Sequence, residues 1–276
     1  MRFLESRPFD AEPAQVVVQG VAYDGGTSFR RGSASAPSSV REASDSIESW
    51  SPRLRKDLID IDVADAGDID VDRLDPADVM ERIARATEIR ARTGARIVTF
   101  GGDHSISIGT SRGLRAVYPD LVHVVYDAHL DMRPEYDDSE FSHACGTRHM
   151  SIAGPTCVCG VRSGSREEFN DADKMLVAWS EDIALPVAMR QVVAKSPVFV
   201  SLDLDVLDPS IFSGTGNPEP GGPTYRELRE QILELAPANV VGIDLVECAP
   251  PWDASGVSSV VAAHMARELI LGVLSR

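Results

Sequence analysis

Two carboxylates and an imidazole stand two residues apart, directly after an apolar run. The stretch VVYDAHLDMRP (124–134) places Asp127, His129 and Asp131 at alternate positions. If the chain stays extended past Tyr126, side chains at alternate positions point to the same side and can share one centre. An isolated Asp-x-His pair is usually a cap or a loop hydrogen bond, so a metal site here needs further ligands from other parts of the chain.

Similar groups follow other apolar runs. Asp203 and Asp205 repeat the two-residue spacing in DLDVLDP (203–209), and His104 follows a Gly-Gly turn in GGDHS (101–105). With the first stretch they make four carboxylates and two imidazoles, and that many negative charges stay ionised together only when cations compensate them. Two divalent ions balance four carboxylates, which predicts a two-metal site. Oxygen and nitrogen ligands without thiolate suit Mn²⁺ best, with Fe, Co, Zn or Ni as alternatives.

The predicted secondary structure explains how these groups could meet. Short runs rich in Val and Ile alternate with amphipathic helical stretches, which predicts one three-layer α/β/α domain over residues 1–276 with a mostly parallel central sheet. Strands are predicted at 14–23, 95–100, 121–126, 196–202 and 239–246, and helices at 78–93, 224–236 and about 258–274. Four of these strands run into polar clusters, the fourth being VECAPP (246–251), and ligands bind at the carboxyl ends of such strands.

Charge and composition limit the classes of partner. The 276-residue chain has a formal net charge of −16, which disfavours nucleic acid and attracts metal ions or small cationic substrates. Neither an apolar run of 18 residues nor a secretory leader is recognised, so no membrane span and a cytoplasmic location are expected. The four cysteines form no CxxC pair and are expected to be reduced and mostly buried.

The motifs GGDHS, DAHLD and SLDLDVLDP together resemble those of the ureohydrolase family of arginases, agmatinases and related guanidino-group hydrolases. GVAYDGGTSFRRGSASAPSSVREAS (20–44) is similar to the family's entry segment. GTGNPEPGGPTYRE (214–227) and VECAPPWDASGVSSVVAAH (246–264) are most similar to the agmatinase branch. The resemblance covers nearly the whole chain, and it implies an arginase-like α/β/α fold, two Mn²⁺ per chain and release of urea from a guanidinium group.

The resemblance also implies residue roles. The family's metal ligands fall on the six residues found from the charge argument: His104, Asp127, His129, Asp131, Asp203 and Asp205. Its mobile proton-shuttling histidine falls on His143, with His149 as the fallback, and its guanidinium-binding glutamate falls on Glu247. In the implied mechanism the two metals lower the pKa of a bridging water, Asp131 accepts a proton and His143 protonates the leaving amine.

Substrate choice depends on Arg133, two residues after DAHLD. A cation there suits a carboxylate, whereas it would repel the terminal ammonium of agmatine if it pointed inwards. Arg133 therefore either turns away, towards Glu135 or a neighbouring subunit, or it reads a guanidino acid. The branch motifs favour hydrolysis of agmatine to putrescine and urea, a step of polyamine biosynthesis. The alternative is an arginase or a guanidino-acid hydrolase, for example of 4-guanidinobutyrate.

Two further classes remain open from the sequence. A non-catalytic metal-binding homologue is disfavoured because no ligand position, nor His143 or Glu247, is missing. A metal-dependent deacetylase on a related fold would lack the full two-metal ligand set. The family resemblance implies a homo-oligomer, a trimer or a hexamer, acting on a small cationic guanidino substrate.

Overall fold

The structure, a computed structural model, describes residues 1–10 and 12–275 and is built on one parallel sheet. Nine strands pair in the order β1-β5-β2-β6-β11-β10-β7-β8-β9, and β3 and β4 form a separate antiparallel hairpin. The strands are β1 (Arg7–Pro8), β2 (Val16–Gly20), β3 (Trp50–Ser51), β4 (Lys56–Asp57), β5 (Val63–Asp68), β6 (Arg96–Phe100), β7 (Val122–Tyr126), β8 (Thr156–Cys159), β9 (Ala178–Ser180), β10 (Pro197–Asp203) and β11 (Asn239–Val246).

Helices cover both faces of the sheet, which confirms the predicted three-layer α/β/α class. The helices are α1 (Ala36–Ser44), α2 (Pro76–Ala91), α3 (Ile106–Val117), α4 (Gly146–Ala153), α5 (Arg166–Met175), α6 (Val187–Val193), α7 (Tyr225–Leu233) and α8 (Val257–Leu269). Helices α1, α6, α7 and α8 share one apolar core with the sheet, while α2 to α5 cover the other face. Alternate strand residues divide between the faces: Val124 belongs to the first core and Val125 to the second.

The five predicted strands and three predicted helices all occur, with ends shifted by a few residues. Thr224 caps α7 through the predicted capping box with Glu227, because each side chain accepts a hydrogen bond from the other residue's backbone N–H. The four cysteines are free and buried, as expected. Four sheet strands, β1, β5, β8 and β9, were not predicted, and neither was the hairpin.

The last helix qualifies the prediction that no segment could span a membrane. Val257–Leu274 comprises α8 and a π-helical turn, Ile270–Leu274, and by length and composition it could cross a bilayer. However, 72% of this segment is buried inside the fold, where it packs with α1 and α7. Its apolar composition is therefore that of a core helix.

The sheet order brings the predicted polar clusters together. The four strands that precede them, β6, β11, β10 and β7, are consecutive neighbours in the sheet. Their parallel pairing places all four carboxyl ends at one edge. GGDHS, VECAPP, DLDVLDP and DAHLD consequently occupy adjacent positions along that edge.

Candidate metal centre

Six side chains from three strand ends form one buried cluster. The Nδ1 atom of His104 lies 2.9 Å from an Asp131 oxygen, 3.1 Å from Asp127 Oδ2 and 3.3 Å from Asp203 Oδ2. The Nδ1 atom of His129 lies 2.9 Å from Asp205 Oδ2. All six residues predicted as metal ligands are therefore in one place, although the roles of the individual residues stay predictions.

Two triads in the cluster have the composition and spacing of metal sites. One contains His104, Asp127 and Asp203, and the other contains Asp127, His129 and Asp205, with the ligand atoms of each within 4.8 Å of one another. Asp127 belongs to both triads, as a bridging carboxylate would. Its Oδ2 atom is buried and meets no donor in hydrogen-bond geometry among the described residues, although His104 Nδ1 lies 3.1 Å away. A buried carboxylate oxygen without a hydrogen bond, facing an imidazole nitrogen, fits a cation, so the residues present suit two divalent ions.

The local backbone differs from the predicted extended arrangement. Strand β7 ends at Tyr126, and Asp131 reaches the cluster through a left-handed backbone conformation with φ of 50°. Asp205 lies in a 3₁₀ turn, Leu204–Val206, in which the Asp203 carboxylate accepts a hydrogen bond from the Asp205 N–H. The prediction that strand alternation brings the ligands together was therefore wrong for Asp131 and Asp205. Turns at the strand ends direct these two side chains towards the cluster.

The carboxylates destabilise one another's charge. Burial raises the pKa of Asp203 well above its usual value, and the nearby Asp205 and Asp127 raise it further. Burial and the Asp127 charge likewise raise the pKa of Asp131 to about 6. Burial also raises the pKa of Asp127, but the neighbouring imidazoles of His104 and His129 outweigh burial and leave it lowered. Such crowding is typical of a site whose charge is balanced by cations.

A buried polar chain fixes the orientation of His104. Its Nε2 atom lies 3.0 Å from Ser201 Oγ, whose hydroxyl donates to Asp244 Oδ1 at 2.8 Å. Ser107 donates to the other oxygen of Asp244 at 2.6 Å. Donation from Nε2–H to Ser201 would leave the Nδ1 lone pair for a metal ion held among the carboxylates, which is the tautomer a metal ligand needs. Neither Ser201 nor Asp244 was predicted, because both lie inside strands that look purely structural in the sequence.

Glu247 and His143 adjoin the cluster. Glu247 is buried, has φ of 60°, and accepts a hydrogen bond from the His104 N–H at 2.8 Å. His143 Nδ1 lies 3.5 Å from Glu247, and its Nε2 lies 2.8 Å from the Ser28 hydroxyl. Burial lowers the pKa of His143, but the hydrogen bond and charge of Glu247 raise it more, to about 9. Left-handed conformations at Asp131 and Glu247 are typical of functional sites.

The entry segment holds His143 in place. Asp103, for which the sequence predicts no role, accepts a hydrogen bond from Gly26 N–H at 2.7 Å, and the Gly26 carbonyl accepts one from His143 N–H at 3.2 Å. Gly102 permits this packing, because a Cβ atom there would lie 1.6 Å from the Tyr23 carbonyl oxygen. The fallback residue His149 instead stacks on Phe141 and bonds the Glu140 carbonyl.

A cavity of about 370 Å³ opens onto this cluster. His129, Asp131 and His143 line it together with residues that were not predicted from the sequence, among them Ser28, Tyr136, Glu168, Asn217 and Glu219. Arg133 also lines the cavity: its Nε atom lies 3.3 Å from Glu168, and its guanidinium lies 4.8 Å from the Tyr136 ring centre. Glu135, one of the alternatives predicted for Arg133, is not its ion-pair partner in the structure; Glu168 is.

Comparisons with known proteins agree with this fold. The model of the Arginase family matches residues 14–272. The agmatinase of Bacillus subtilis is 34% identical over 98% of this chain and 95% of its own length. The N(1)-aminopropylagmatine ureohydrolase of Thermococcus kodakarensis is 33% identical over 89% of this chain and 86% of its own length. The agmatine ureohydrolase structure from Thermoplasma volcanium superposes with a TM-score of 0.87 at 31% identity, covering 98% of this chain and 93% of that one.

A parallel α/β/α sheet with a carboxylate–histidine cluster at its carboxyl edge defines the class of metal-dependent hydrolases to which arginases belong, and this chain belongs to the arginase family. Within that family it is an agmatinase-like ureohydrolase, an enzyme that hydrolyses a guanidino group. The predicted family is confirmed, and the deacetylase and non-catalytic alternatives are set aside.

Proposed function

We propose that this protein is a two-manganese ureohydrolase that converts agmatine to putrescine and urea. The observation that carries the proposal is the pair of triads sharing Asp127 next to the buried Glu247. Relatives named agmatinase, at 34–35% identity over nearly the full chain, favour agmatine among guanidino substrates.

The six clustered residues would hold the metals. His104, Asp127 and Asp203 would bind one ion, and Asp127, His129 and Asp205 the other, with Asp131 beside His104. Manganese suits this ligand set of oxygen and nitrogen atoms without thiolate. When bound, two divalent cations lower the pKa of water, so that hydroxide is available near neutral pH.

Glu247 would bind the guanidinium. A carboxylate accepts paired N–H groups from a guanidinium ion, and such charge-assisted hydrogen bonds fix its plane. One oxygen of Glu247 already accepts the His104 N–H, which locks the side chain in position. Holding the substrate carbon in a fixed orientation near the cluster removes much of the entropic barrier to attack.

Asp131 and His143 would move the protons. Asp131 is a buried carboxylate next to the cluster and would accept a proton from the attacking water. His143, with a pKa of about 9, carries a proton at neutral pH and would donate it to the departing amine. It contacts the Ser28 hydroxyl, and both residues line the cavity.

A substrate panel tests the proposal. Urea release would be measured from agmatine, arginine and 4-guanidinobutyrate, with metal-free and Mn²⁺-loaded protein. We expect agmatine to have the highest kcat/KM and its hydrolysis to require Mn²⁺. Preference for 4-guanidinobutyrate would instead support the guanidino-acid alternative, and no urea from any of the three would refute the proposal.

Four further expectations belong to this proposal. Residues 1–276 form one ureohydrolase domain, the protein assembles as a trimer or hexamer, it acts in the cytoplasm, and its product enters polyamine biosynthesis. Light scattering of the purified protein would test the oligomeric state.

A further inference from the structure

The cavity beside the candidate metal centre is lined by charged residues besides the predicted metal ligands. His129, Asp131 and His143 line it next to the cluster, where the guanidinium would react. Arg133, Glu168 and Glu219 also line it, and we call these three residues the outer wall. The formal charges of these three residues sum to −1. Two of the residues form an ion pair with each other, and the third does not take part in it.

Arg133 and Glu168 neutralise each other. They lie 3.3 Å apart, and Glu168 is buried while its oxygens accept hydrogen bonds from the Met132 N–H at 3.2 Å and the Ser165 N–H at 2.9 Å. The Arg133 guanidinium also stacks against Tyr136. Glu168 is thus an anchor for Arg133 and for the start of α5, and Arg133 is a compensated part of the wall.

Glu219 is the least compensated of these three charges. Among residues 1–10 and 12–275, its carboxylate has one ion contact within 4 Å, to His129 Nε2 at 3.6 Å, which is too long for a hydrogen bond. Two residues earlier, Asn217 also lines the cavity, and its Oδ1 atom is buried without a hydrogen-bond partner in that part of the chain. Two side-chain oxygen acceptors on one segment therefore have no hydrogen-bond donor among the described residues.

Arg162 fixes this segment relative to the candidate metal centre. Its guanidinium donates to the carbonyl oxygens of Glu219 at 2.9 Å and Pro220 at 3.1 Å. It also donates to the Asp205 carbonyl oxygen at 3.0 Å. One rigid guanidinium thus connects the Glu219 segment to the strand end that carries Asp205.

We propose that Glu219, with Asn217 Oδ1, binds the distal ammonium of a guanidino-alkylamine and so selects substrates with a cationic tail. This inference rests on the proposed function. An ammonium has three donors and needs oxygen acceptors, which this segment provides. A carboxylate tail would meet the Glu219 charge, and the nearby Arg133 is already paired with Glu168. Glu219 is thus a specificity-determining residue of the outer wall.

A different role for Glu219 makes a distinct prediction. A carboxylate near His129 Nε2 could orient that imidazole towards a metal, as outer carboxylates do in many metal sites. Such a positioning role would weaken Mn²⁺ binding and would reduce hydrolysis of every substrate alike. Recognition of the tail would affect only substrates that carry the ammonium.

The test compares agmatine with n-butylguanidine, which has the same four-carbon chain and no ammonium. For Glu219→Gln we expect the ratio of kcat/KM values, agmatine over n-butylguanidine, to fall at least tenfold. For Glu219→Lys we expect the ratio of agmatine to 4-guanidinobutyrate to fall further. Glu167→Gln, the same change at an exposed glutamate of α5, serves as the matched control and should keep the wild-type ratios. Equilibrium dialysis should give wild-type Mn²⁺ affinity for Glu219→Gln, and circular dichroism would check its folding.

Three outcomes overturn the inference, and they are separable. If Glu219→Gln is active and keeps the wild-type ratio of kcat/KM values, agmatine over n-butylguanidine, Glu219 does not recognise the tail. The proposed function is then unaffected. If kcat/KM falls equally for agmatine and n-butylguanidine and Mn²⁺ binding weakens, the role of Glu219 is to orient His129. A folded, Mn²⁺-loaded wild-type protein that releases urea from none of the three guanidines overturns the proposed function itself, and with it this inference.

Discussion

Asp127 is the carboxylate common to both triads, so a single substitution there tests both candidate sites. Asp127→Asn removes one charge while keeping the shape of the side chain. We expect Mn²⁺ content to fall from two to one or fewer ions per chain, and urea release to fall about 10³-fold, since metal catalysis contributes several kcal/mol. Elemental analysis and a urea assay would measure both, with the exposed Asp120→Asn as control. Full activity with two ions bound would contradict the assignment.

Ser201 acts through His104 without touching substrate, so its substitution tests the buried polar chain. Ser201→Ala disconnects His104 Nε2 from Asp244 and leaves both of those residues in place. Loss of such an outer partner typically lowers metal affinity about 10–100-fold, and we expect a loss in that range. Calorimetric titration with Mn²⁺ would measure it, with Ser38→Ala on the exposed side of α1 as control. Unchanged Mn²⁺ affinity would show that Ser201 only fills space.

At the scale of elements, the sequence predicted the part of the fold that carries the chemistry. The strands before GGDHS, DAHLD, DLDVLDP and VECAPP are long, apolar and rich in Val and Ile, which is why they were recognised. In the structure these strands are parallel neighbours, which explains why the clusters meet. The edge strands β1 and β9 contain only two and three residues, too few to produce a hydrophobic pattern.

Contacts between segments far apart in the chain could not be predicted from sequence patterns. The pairing of Arg133 with Glu168 joins residues 35 positions apart and depends on where α5 begins. The left-handed conformations of Asp131 and Glu247 are non-glycine exceptions that no local rule predicts. The free acceptor of Asn217 became apparent only once the cavity was defined.

The ion pair between α1 and β5 should make stability depend on pH. Arg41 contacts Asp65 at 2.8 Å in a buried setting, and the Phe3 N–H also donates to Asp65. Burial raises the pKa of Asp65, but the hydrogen bonds from Arg41 and Phe3 outweigh burial and leave it below its usual value. A lowered folded-state pKa stabilises the protein above the unfolded-state pKa of about 3.9, and this stabilisation is lost as pH falls below it.

Asp65→Ala tests this pair. Removing one partner of a buried ion pair costs about 3–5 kcal/mol, so we expect a loss near the lower end at pH 7, because Asp68 still contacts Arg41. The difference from wild type should shrink below about pH 4. Urea unfolding at several pH values would measure it, and the exposed Asp62→Ala should cause a much smaller change. A difference independent of pH would contradict the electrostatic explanation.

At the scale of the whole molecule, the net charge of −16 should assist the capture of cationic substrates. Agmatine carries two positive charges and n-butylguanidine one. Raising ionic strength from about 0.01 M to 0.15 M shortens the Debye length from about 30 Å to about 8 Å. We therefore expect kcat/KM to fall with salt, more steeply for agmatine than for n-butylguanidine. Equal salt dependence of the two substrates would exclude a contribution from long-range attraction.

The central claim is that two metal ions held by the Asp127-sharing triads hydrolyse a guanidino group. Its most direct test is a titration of metal-free protein with Mn²⁺, in which urea release from agmatine is followed as a function of ions bound per chain. We predict that activity rises to a plateau at two ions per chain. A plateau at one ion, or urea release by protein freed of metal, would contradict the claim.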